Sequence, residues 1–186
     1  GRLEGAIVKN VTFNNAKITV KNADNTVETK VYLGVVAGIS NASNVYGVSV
    51  TGLTLDVDTQ DNMLYIGGLV GYVESTKLSS NIVDNVTSIT LKASENATIR
   101  FGGLASYVKA TNIYIERNFV SLSNTTLQES NNANYGVLFG YITLTQSYTK
   151  IVNNIYDANS KAIISTITGS GSLDTSNRQG TVADIA

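Results

Sequence analysis

Residues 67–71 read GGLVG, and this pentapeptide indicates the fold because similar pentapeptides recur along the whole chain. The shared pattern is Gly-x-(Leu or Val)-x-(Gly or Ser), and its copies are GRLEG from Gly1, GVVAG from Gly34, GGLVG from Gly67, GGLAS from Gly102 and GVLFG from Gly136. The steps between copies are 33, 33, 35 and 34 residues, and a worn sixth copy begins 35 residues later at Gly171. A nearly constant period of this length indicates a repeat architecture, in which each unit stacks on its neighbours.

Apolar and aromatic residues also repeat around the motif. The residue before the first glycine is Leu33, Ile66, Phe101 or Tyr135, and tyrosines 72, 107 and 141 follow the later copies. Each unit then continues with a polar turn, a second β-like run, an Asn- or Ser-rich corner and a third run. In the unit from Gly34 these runs are residues 45–50 and 53–57.

Three short strands per 34-residue unit predict one coil of a parallel β-helix. Stacked coils place equivalent residues about 4.8 Å apart, so the repeated positions become ladders in a continuous core. We therefore predict an all-β parallel β-solenoid of about five to six coils. An antiparallel sandwich is the alternative, but Asn-Gly and Asp-Gly turns are absent and the lack of proline suits strands that are paired on both sides.

The repeats define the predicted domain organisation. Residues 1–168 form the solenoid, with units starting near 1, 34, 67, 102 and 136, and residues 169–186 form a degenerate terminal coil or frayed end. The chain has no initiator methionine and no signal peptide, so we expect it to be a segment of a longer protein.

The motif glycines need a physical reason, because glycine weakens a strand unless something must approach closely. A column of glycines can form a groove that accepts another strand or an aromatic column, or it can supply a positive φ at a corner. The adjacent tyrosines favour close packing, with these tyrosines as fillers of the groove; exposed ones could instead stack on sugar rings. The predicted structural glycines are Gly34, Gly38, Gly67, Gly68, Gly71, Gly102, Gly103, Gly136 and Gly140.

Composition removes several classes of function. The 186 residues include 14 acidic and 13 basic side chains, and no histidine, cysteine, proline or tryptophan. Zinc sites, disulfides, thiol nucleophiles and histidine-based triads are therefore excluded. A net charge of −1 indicates no basic surface that would bind nucleic acid or anionic membranes. The sequence also contains no stretch of 18 apolar residues, so it does not predict membrane insertion.

The most site-like cluster lies after the third run of the second unit. Asp56 and Asp58 point to the same face of a strand, and Asp61 can bend back toward them from the following turn. Closely spaced carboxylates are ligands that Ca²⁺ prefers, so these three residues form a candidate calcium site, although a solvated strand end explains them as well. Calcium is the only cofactor that the sequence suggests.

Catalysis on a β-helix needs carboxylates, or carboxylates with basic residues, gathered on one face of neighbouring coils. The acids scatter without a shared column, at Glu74, Glu95, Glu116 and Glu129. We therefore predict that the chain is not an enzyme, and keep a carbohydrate-acting β-helix enzyme as the alternative.

The sequence GGLVG followed by Tyr72, with its relatives GGLAS, GVLFG and GVVAG, resembles the GLUG motif, a glycine–leucine–variable–glycine repeat. Ser106 replaces the last glycine in one copy, and valine follows the first glycine in two others. That motif is found in bacterial surface adhesins and in large surface proteins of some protists. The resemblance implies an extracellular or cell-surface segment with a structural or adhesive role.

The expected partners are glycans or proteins of a host or neighbouring cell, or flanking domains of the same chain. A passive spacer that binds nothing of its own is the remaining alternative.

Overall fold

A computed structural model describes residues 1–22, 30–59, 63–94, 97–111, 113–122, 126–128, 133–145, 149–157, 164–169 and 173–185. The first coil contains β1 (Arg2–Glu4), β2 (Ile7–Lys9), β3 (Thr12–Asn14), β4 (Lys17–Asn22) and β5 (Lys30–Leu33). The second contains β6 (Ala37–Asn41), β7 (Asn44–Tyr46), β8 (Ser49–Thr51), β9 (Thr54–Thr59) and β10 (Met63–Gly67).

The later coils repeat this order. The third contains β11 (Val70–Glu74), β12 (Lys77–Ser79), β13 (Ile82–Asp84), β14 (Ser88–Lys92) and β15 (Thr98–Gly102). The fourth contains β16 (Ala105–Ala110), β17 (Ile113–Glu116), β18 (Phe119–Ser121), β19 (Thr126–Gln128) and β20 (Ala133–Gly136). The chain closes with β21 (Phe139–Leu144), β22 (Thr149–Asp157), β23 (Ile164–Gly169), β24 (Leu173–Gln179) and a 3₁₀ helix (Val182–Ile185).

Parallel pairing between successive coils confirms the predicted β-solenoid. One ladder runs β1-β6-β11-β16-β21-β23, a second runs β5-β10-β15-β20 and a third runs β4-β9-β14-β19. The strands between them, β2-β7-β12-β17 and β3-β8-β13-β18, join into one sheet through the long strand β22, which also pairs with β24. The three predicted runs of each coil are present, and corners subdivide two of them: Gly47 separates β7 from β8, and the glycine motif separates β10 from β11.

The solenoid has about four turns rather than the five to six coils predicted. The first and last motif copies do not occupy the motif position, which accounts for the difference. Leu3, the centre of the first copy, pairs with Ser40 rather than with the centre of the next copy. At the other end β23 returns onto β21 after only 25 residues, pairing Phe139 with Ile164. Leu173, the centre of the sixth copy, pairs with Thr149 in a different ladder.

The interior is a continuous apolar core made of stacked equivalent positions. Val45, Leu78, Ile115 and Ile151 lie above one another in register and are fully buried. Because each coil is only one strand thick along the axis, its apolar side chains need the coils on either side to be fully covered.

Corners with left-handed backbone occur at intervals of five residues within each of the first three coils. They form three columns: Gly5, Ala42 and Ser75; Asn10, Gly47, Ser80, Arg117 and Asn153; and Asn15, Gly52 and Asn85. The corner amides still donate along the axis, as in the bonds from Gly47 N to Ser79 O and from Ser80 N to Glu116 O. Asparagine and glycine tolerate this conformation, whereas other residues carry a cost of roughly 1–2 kcal/mol.

Replacing Ala42 by asparagine should therefore raise the free energy of unfolding by up to about 1 kcal/mol. Ala42 is exposed and has a φ of 48°, so the new side chain has room and the backbone strain falls. The reciprocal change, Asn10→Ala in the next column of corners, should lower the free energy of unfolding by a similar amount. Urea melts of both variants check the pair, and shifts of the same sign would contradict the strain argument.

A ladder of buried asparagines runs along the corner between the β12-β17 and β13-β18 columns. Asn81, Asn118 and Asn154 are fully buried. In each step the Nδ2 of one asparagine donates to the Oδ1 of the next, at 2.9 Å from Asn81 to Asn118 and 2.8 Å from Asn118 to Asn154. Asn154 continues the chain to Asn177 at 2.8 Å. Each side chain thus supplies hydrogen bonds that the corner backbone would otherwise lack.

Candidate ligand-binding crease

The glycine motif forms a sharp corner at which two ladders of the solenoid meet backbone to backbone. Gly67 ends β10 and Val70 begins β11, and none of the nine predicted structural glycines has a positive φ. A Cβ added at Gly71 would lie 2.6 Å from Gly38 O and 2.8 Å from Leu33 N. Close approach, rather than a left-handed conformation, is therefore what requires glycine here.

The other motif glycines meet backbone in the same way. An added Cβ would lie 2.5 Å from Ala37 O at Gly34, 2.5 Å from Tyr32 O at Gly38 and 2.6 Å from Phe101 O at Gly140. It would collide with the carbonyl oxygens of Val70, Gly103, Ala105 and Val137 at Gly67, Gly68, Gly102 and Gly103, respectively. Gly136 is buried at the end of β20. What fills the groove at these glycines is backbone rather than an aromatic column.

Ser106 shows how one coil accommodates a side chain at this corner. It occupies the position of the last motif glycine and is fully buried. Its hydroxyl donates to Arg100 O at 2.6 Å. The equivalent carbonyls in other coils are Tyr32 O and Asn134 O, which an added Cβ would contact at Gly38 and Gly140, respectively. The serine therefore turns a steric contact into a hydrogen bond.

Outward-facing side chains of the two ladders meet across this corner. One wall carries Tyr32, Tyr65, Arg100 and Asn134, which are in register along β5, β10, β15 and β20. The other wall carries Tyr72, Tyr107, Tyr141 and Thr166, which are in register along β11, β16, β21 and β23. Since outward side chains of consecutive ladders can touch only where the wall folds inward, the corner is concave. We name these eight residues the tyrosine crease.

The two walls interlock in a regular zipper. Tyr32 meets Tyr72 edge to face with ring centroids 5.9 Å apart, and Tyr65 meets Tyr107 with centroids 5.6 Å apart. The guanidinium carbon of Arg100 lies 3.9 Å from the ring centroid of Tyr141.

The last step of the zipper is polar: Asn134 Nδ2 donates to Thr166 Oγ1 at 3.0 Å. Every wall residue thus has a partner on the facing wall, which fixes the geometry of the crease.

The mouth of the crease is lined with hydroxyl groups and one ion pair. The Tyr107 hydroxyl is 3.0 Å from Thr143 Oγ1, which is 3.3 Å from Thr168 Oγ1. Lys109 Nζ donates to Glu74 Oε1 at 2.6 Å, and the Tyr72 hydroxyl donates to Glu74 Oε2 at 3.2 Å. This arrangement presents hydrogen-bonding groups to solvent over several successive coils.

The electrostatics of the crease keep its ion pair charged and keep Tyr65 and Tyr72 neutral. The hydrogen bond from Lys109 lowers the pKa of the Glu74 carboxyl and raises the pKa of the Lys109 ammonium group. Burial raises the pKa of the Tyr72 hydroxyl, and the adjacent Glu74 carboxylate raises it further. Burial also raises the pKa of Tyr65, against the opposing effect of Arg100. At neutral pH Tyr65 and Tyr72 therefore act as hydrogen-bonding and aromatic groups rather than as bases.

The repeat pattern of the sequence predicts only one wall of this site. Tyr72, Tyr107 and Tyr141 were recognised as a column beside the motif, and they are half-buried outside the apolar core. The opposite wall was missed, although Tyr32, Tyr65 and Arg100 recur at intervals of 33 and 35 residues, which is the period of the motif itself.

The candidate calcium ligands are only partly placed. Asp56 and Asp58 lie on one face of β9, as predicted, and Asp61 lies outside the described residues. Asp58 is in register with Lys21 on one side and Lys92 on the other. Within the described ranges no three His, Cys, Asp or Glu residues are grouped so as to hold a metal ion. A calcium site remains a prediction. The flanking lysines, rather than a metal ion, can also compensate the negative charge of Asp58.

Two of the acidic residues considered for catalysis can be placed, and they lie on different ladders. Glu74 is in β11 beside Lys109, whereas Glu116 is in β17 beside Lys77. Glu95 and Glu129 lie outside the described residues.

Comparisons of the chain with protein-family models, with curated proteins and with solved structures give no match. Among the residues that the structure describes, no helix has the length and apolar character needed to cross a bilayer.

Proposed function

We propose that the chain is a non-catalytic, rigid segment of a larger cell-surface or secreted repeat protein, and that the tyrosine crease is its binding face. The observation that carries this proposal is the zipper itself, which holds the tyrosines in fixed positions along the outer wall, all of them partly exposed except the buried Tyr65. A preorganised row of aromatic and hydroxyl groups loses little conformational freedom on binding. The resemblance of GGLVG to the GLUG motif supports a surface location.

The partners that suit this face are glycans or proteins of a host or neighbouring cell. Tyrosine edges, threonine hydroxyls and the Asn134 amide offer both apolar contact and hydrogen bonds, which saccharides and polar protein surfaces require. The separation of Glu74 from Glu116 favours binding over carbohydrate cleavage, because a glycosidase needs two carboxyl groups flanking one bond.

A glycan and extracellular-matrix binding screen tests the proposal. If a ligand is found, Tyr141→Ala should weaken its binding about tenfold, which corresponds to roughly 1.4 kcal/mol. Tyr114→Ala is the matched control, because Tyr114 is 41% exposed on β17, away from the crease, and its loss should leave binding unchanged. No ligand in the screen, together with a cooperative thermal melt, would contradict the binding role and leave a passive spacer.

A further inference from the structure

We propose that the tyrosine crease binds an acidic saccharide whose carboxylate pairs with Arg100. This inference rests on the proposed function of the crease as a binding face and adds the chemical class of the ligand. It starts from the position of Arg100 in the middle of one wall, between Tyr65 and Asn134.

Arg100 is held by aromatic rings rather than by an acid. Its guanidinium carbon lies 3.9, 4.9 and 5.3 Å from the ring centroids of Tyr141, Tyr107 and Tyr65. Among the described residues no carboxylate lies within ion-pair distance of it. Cation–π contacts compensate only part of a full positive charge, so the crease retains an attraction for an anion.

Most of the hydrogen-bonding capacity of Arg100 is also unused within the described part of the chain. A guanidinium has five N–H donors. One terminal nitrogen donates to the Tyr65 hydroxyl at 3.3 Å, and the buried Nε has no acceptor. The remaining donors are available to a group that enters the crease from solvent.

The packing of Arg100 against Tyr141 suits a planar anion. The guanidinium carbon lies over this ring, 3.9 Å from its centroid, so the ring occupies one side of the group. The terminal N–H groups lie in the guanidinium plane, and those that do not bond Tyr65 are left to an acceptor that approaches along that plane. A carboxylate is planar and accepts two parallel N–H bonds in that geometry. The nearby hydroxyls of Tyr107, Thr143 and Thr168 then suit the ring hydroxyls of a sugar that carries the carboxylate.

The other charges around the crease are consistent with an anionic ligand. Glu74 is already paired with Lys109 at 2.6 Å and hydrogen-bonded by Tyr72, so it does not repel an anion at Arg100 as an isolated carboxylate would. Counting Arg100, Lys109 and Glu74 together, the crease and its rim carry one net positive charge at neutral pH.

Calorimetric titration with glucuronate-containing hyaluronan oligosaccharides tests the proposal. Binding to the unmodified chain is expected, and methyl esterification of the saccharide carboxylates should weaken it at least tenfold without any change to the protein. Arg100→Gln should cause a similar loss, and Arg100→Lys a partial one, because lysine keeps the charge but loses the two parallel bonds. Lys9→Gln removes an exposed charge from β2 and should leave binding unchanged.

The outcomes separate this inference from the proposed function. The carboxylate site would be overturned if the acid and its ester bound equally well, or if a folded Arg100→Gln variant bound as tightly as the unmodified chain. Failure of the unesterified saccharide to bind at millimolar concentration would overturn it as well. Binding of dextran sulfate but not of hyaluronan would assign the site to sulfate instead. If neutral glycans bind in a manner that depends on Tyr141 but not on Arg100, the proposed function stands and this inference falls.

Discussion

Replacing Asn118 by alanine is expected to lower the free energy of unfolding by more than about 4 kcal/mol, because it breaks the asparagine ladder at a fully buried position. Asn118 Oδ1 accepts from both the backbone N and the Nδ2 of Asn81, at 3.0 and 2.9 Å. Its Nδ2 donates to Leu78 O at 3.1 Å and to Asn154 Oδ1 at 2.8 Å. Each group left without a partner costs roughly 1–3 kcal/mol in an interior that water does not reach.

Equilibrium unfolding in guanidinium chloride measures this effect, and Asn44→Ala is the matched control. Asn44 lies exposed in β7, so its loss should change the free energy of unfolding by less than about 0.5 kcal/mol. Similar small losses for both variants would mean that the ladder contributes geometry but little stability.

The isosteric change Asn118→Asp adds a test of the burial argument through pH. Burial raises the pKa of a carboxyl group above its unfolded value of about 3.9, because the charged form is disfavoured. A raised folded-state pKa means that this carboxyl destabilises the variant least below about pH 4, and that stability is lost as the pH rises through the folded-state pKa. Melts between pH 4 and 8 should show this slope for Asn118→Asp and not for Asn44→Asp.

The fold could be predicted because its ladders follow the period of the motif. Leu33, Ile66, Phe101 and Tyr135 pair in register. Backbone hydrogen bonds likewise link the four motif centres Val36, Leu69, Leu104 and Leu138 from coil to coil. The pentapeptide recurs because each coil needs the same corner, and the same corner needs the same small residues. The number of turns was overestimated because GRLEG and GSLDT match the letters of the motif without occupying its position.

The asparagine ladder and the opposite wall of the crease could not be predicted in the same way. Asn81, Asn118 and Asn154 are spaced by 37 and 36 residues, which differs from the motif steps, and many other asparagines surround them in the sequence. The zipper joins residues about 40 apart, such as Tyr32 with Tyr72, which belong to different coils. Such contacts depend on how sharply the corner folds, and that angle is set by backbone contacts that a sequence pattern does not show.

Replacing Gly71 by alanine tests the close backbone contacts that set the corner angle. The change is expected to lower the free energy of unfolding by about 3 kcal/mol. The new Cβ would lie 2.6 Å from Gly38 O and 2.8 Å from both Leu33 N and Leu33 O. All three atoms belong to backbones that are paired within their ladders, so they cannot move without opening the corner. For a chain of this length the loss corresponds to a fall of roughly 6–12 °C in the melting temperature.

Two controls separate steric conflict at the corner from other effects of adding or removing a side chain. Ser106→Ala keeps a Cβ at the equivalent position and removes only the bond to Arg100 O, so it should cost about 1 kcal/mol. Gly5→Ala adds a Cβ that meets nothing within 4 Å, and it should cost only the strain of a positive φ, roughly 1–2 kcal/mol.

If Gly71→Ala costs no more than Gly5→Ala, the two ladders can separate at the corner at little cost. The contact between Tyr32 and Tyr72 would then loosen as well, because Gly71 precedes Tyr72 and packs against the strand that carries Tyr32. A rigid, preorganised crease therefore requires that Gly71→Ala lower the free energy of unfolding by more than Gly5→Ala does. The stability of this one variant thus tests the physical basis of the binding face independently of any ligand.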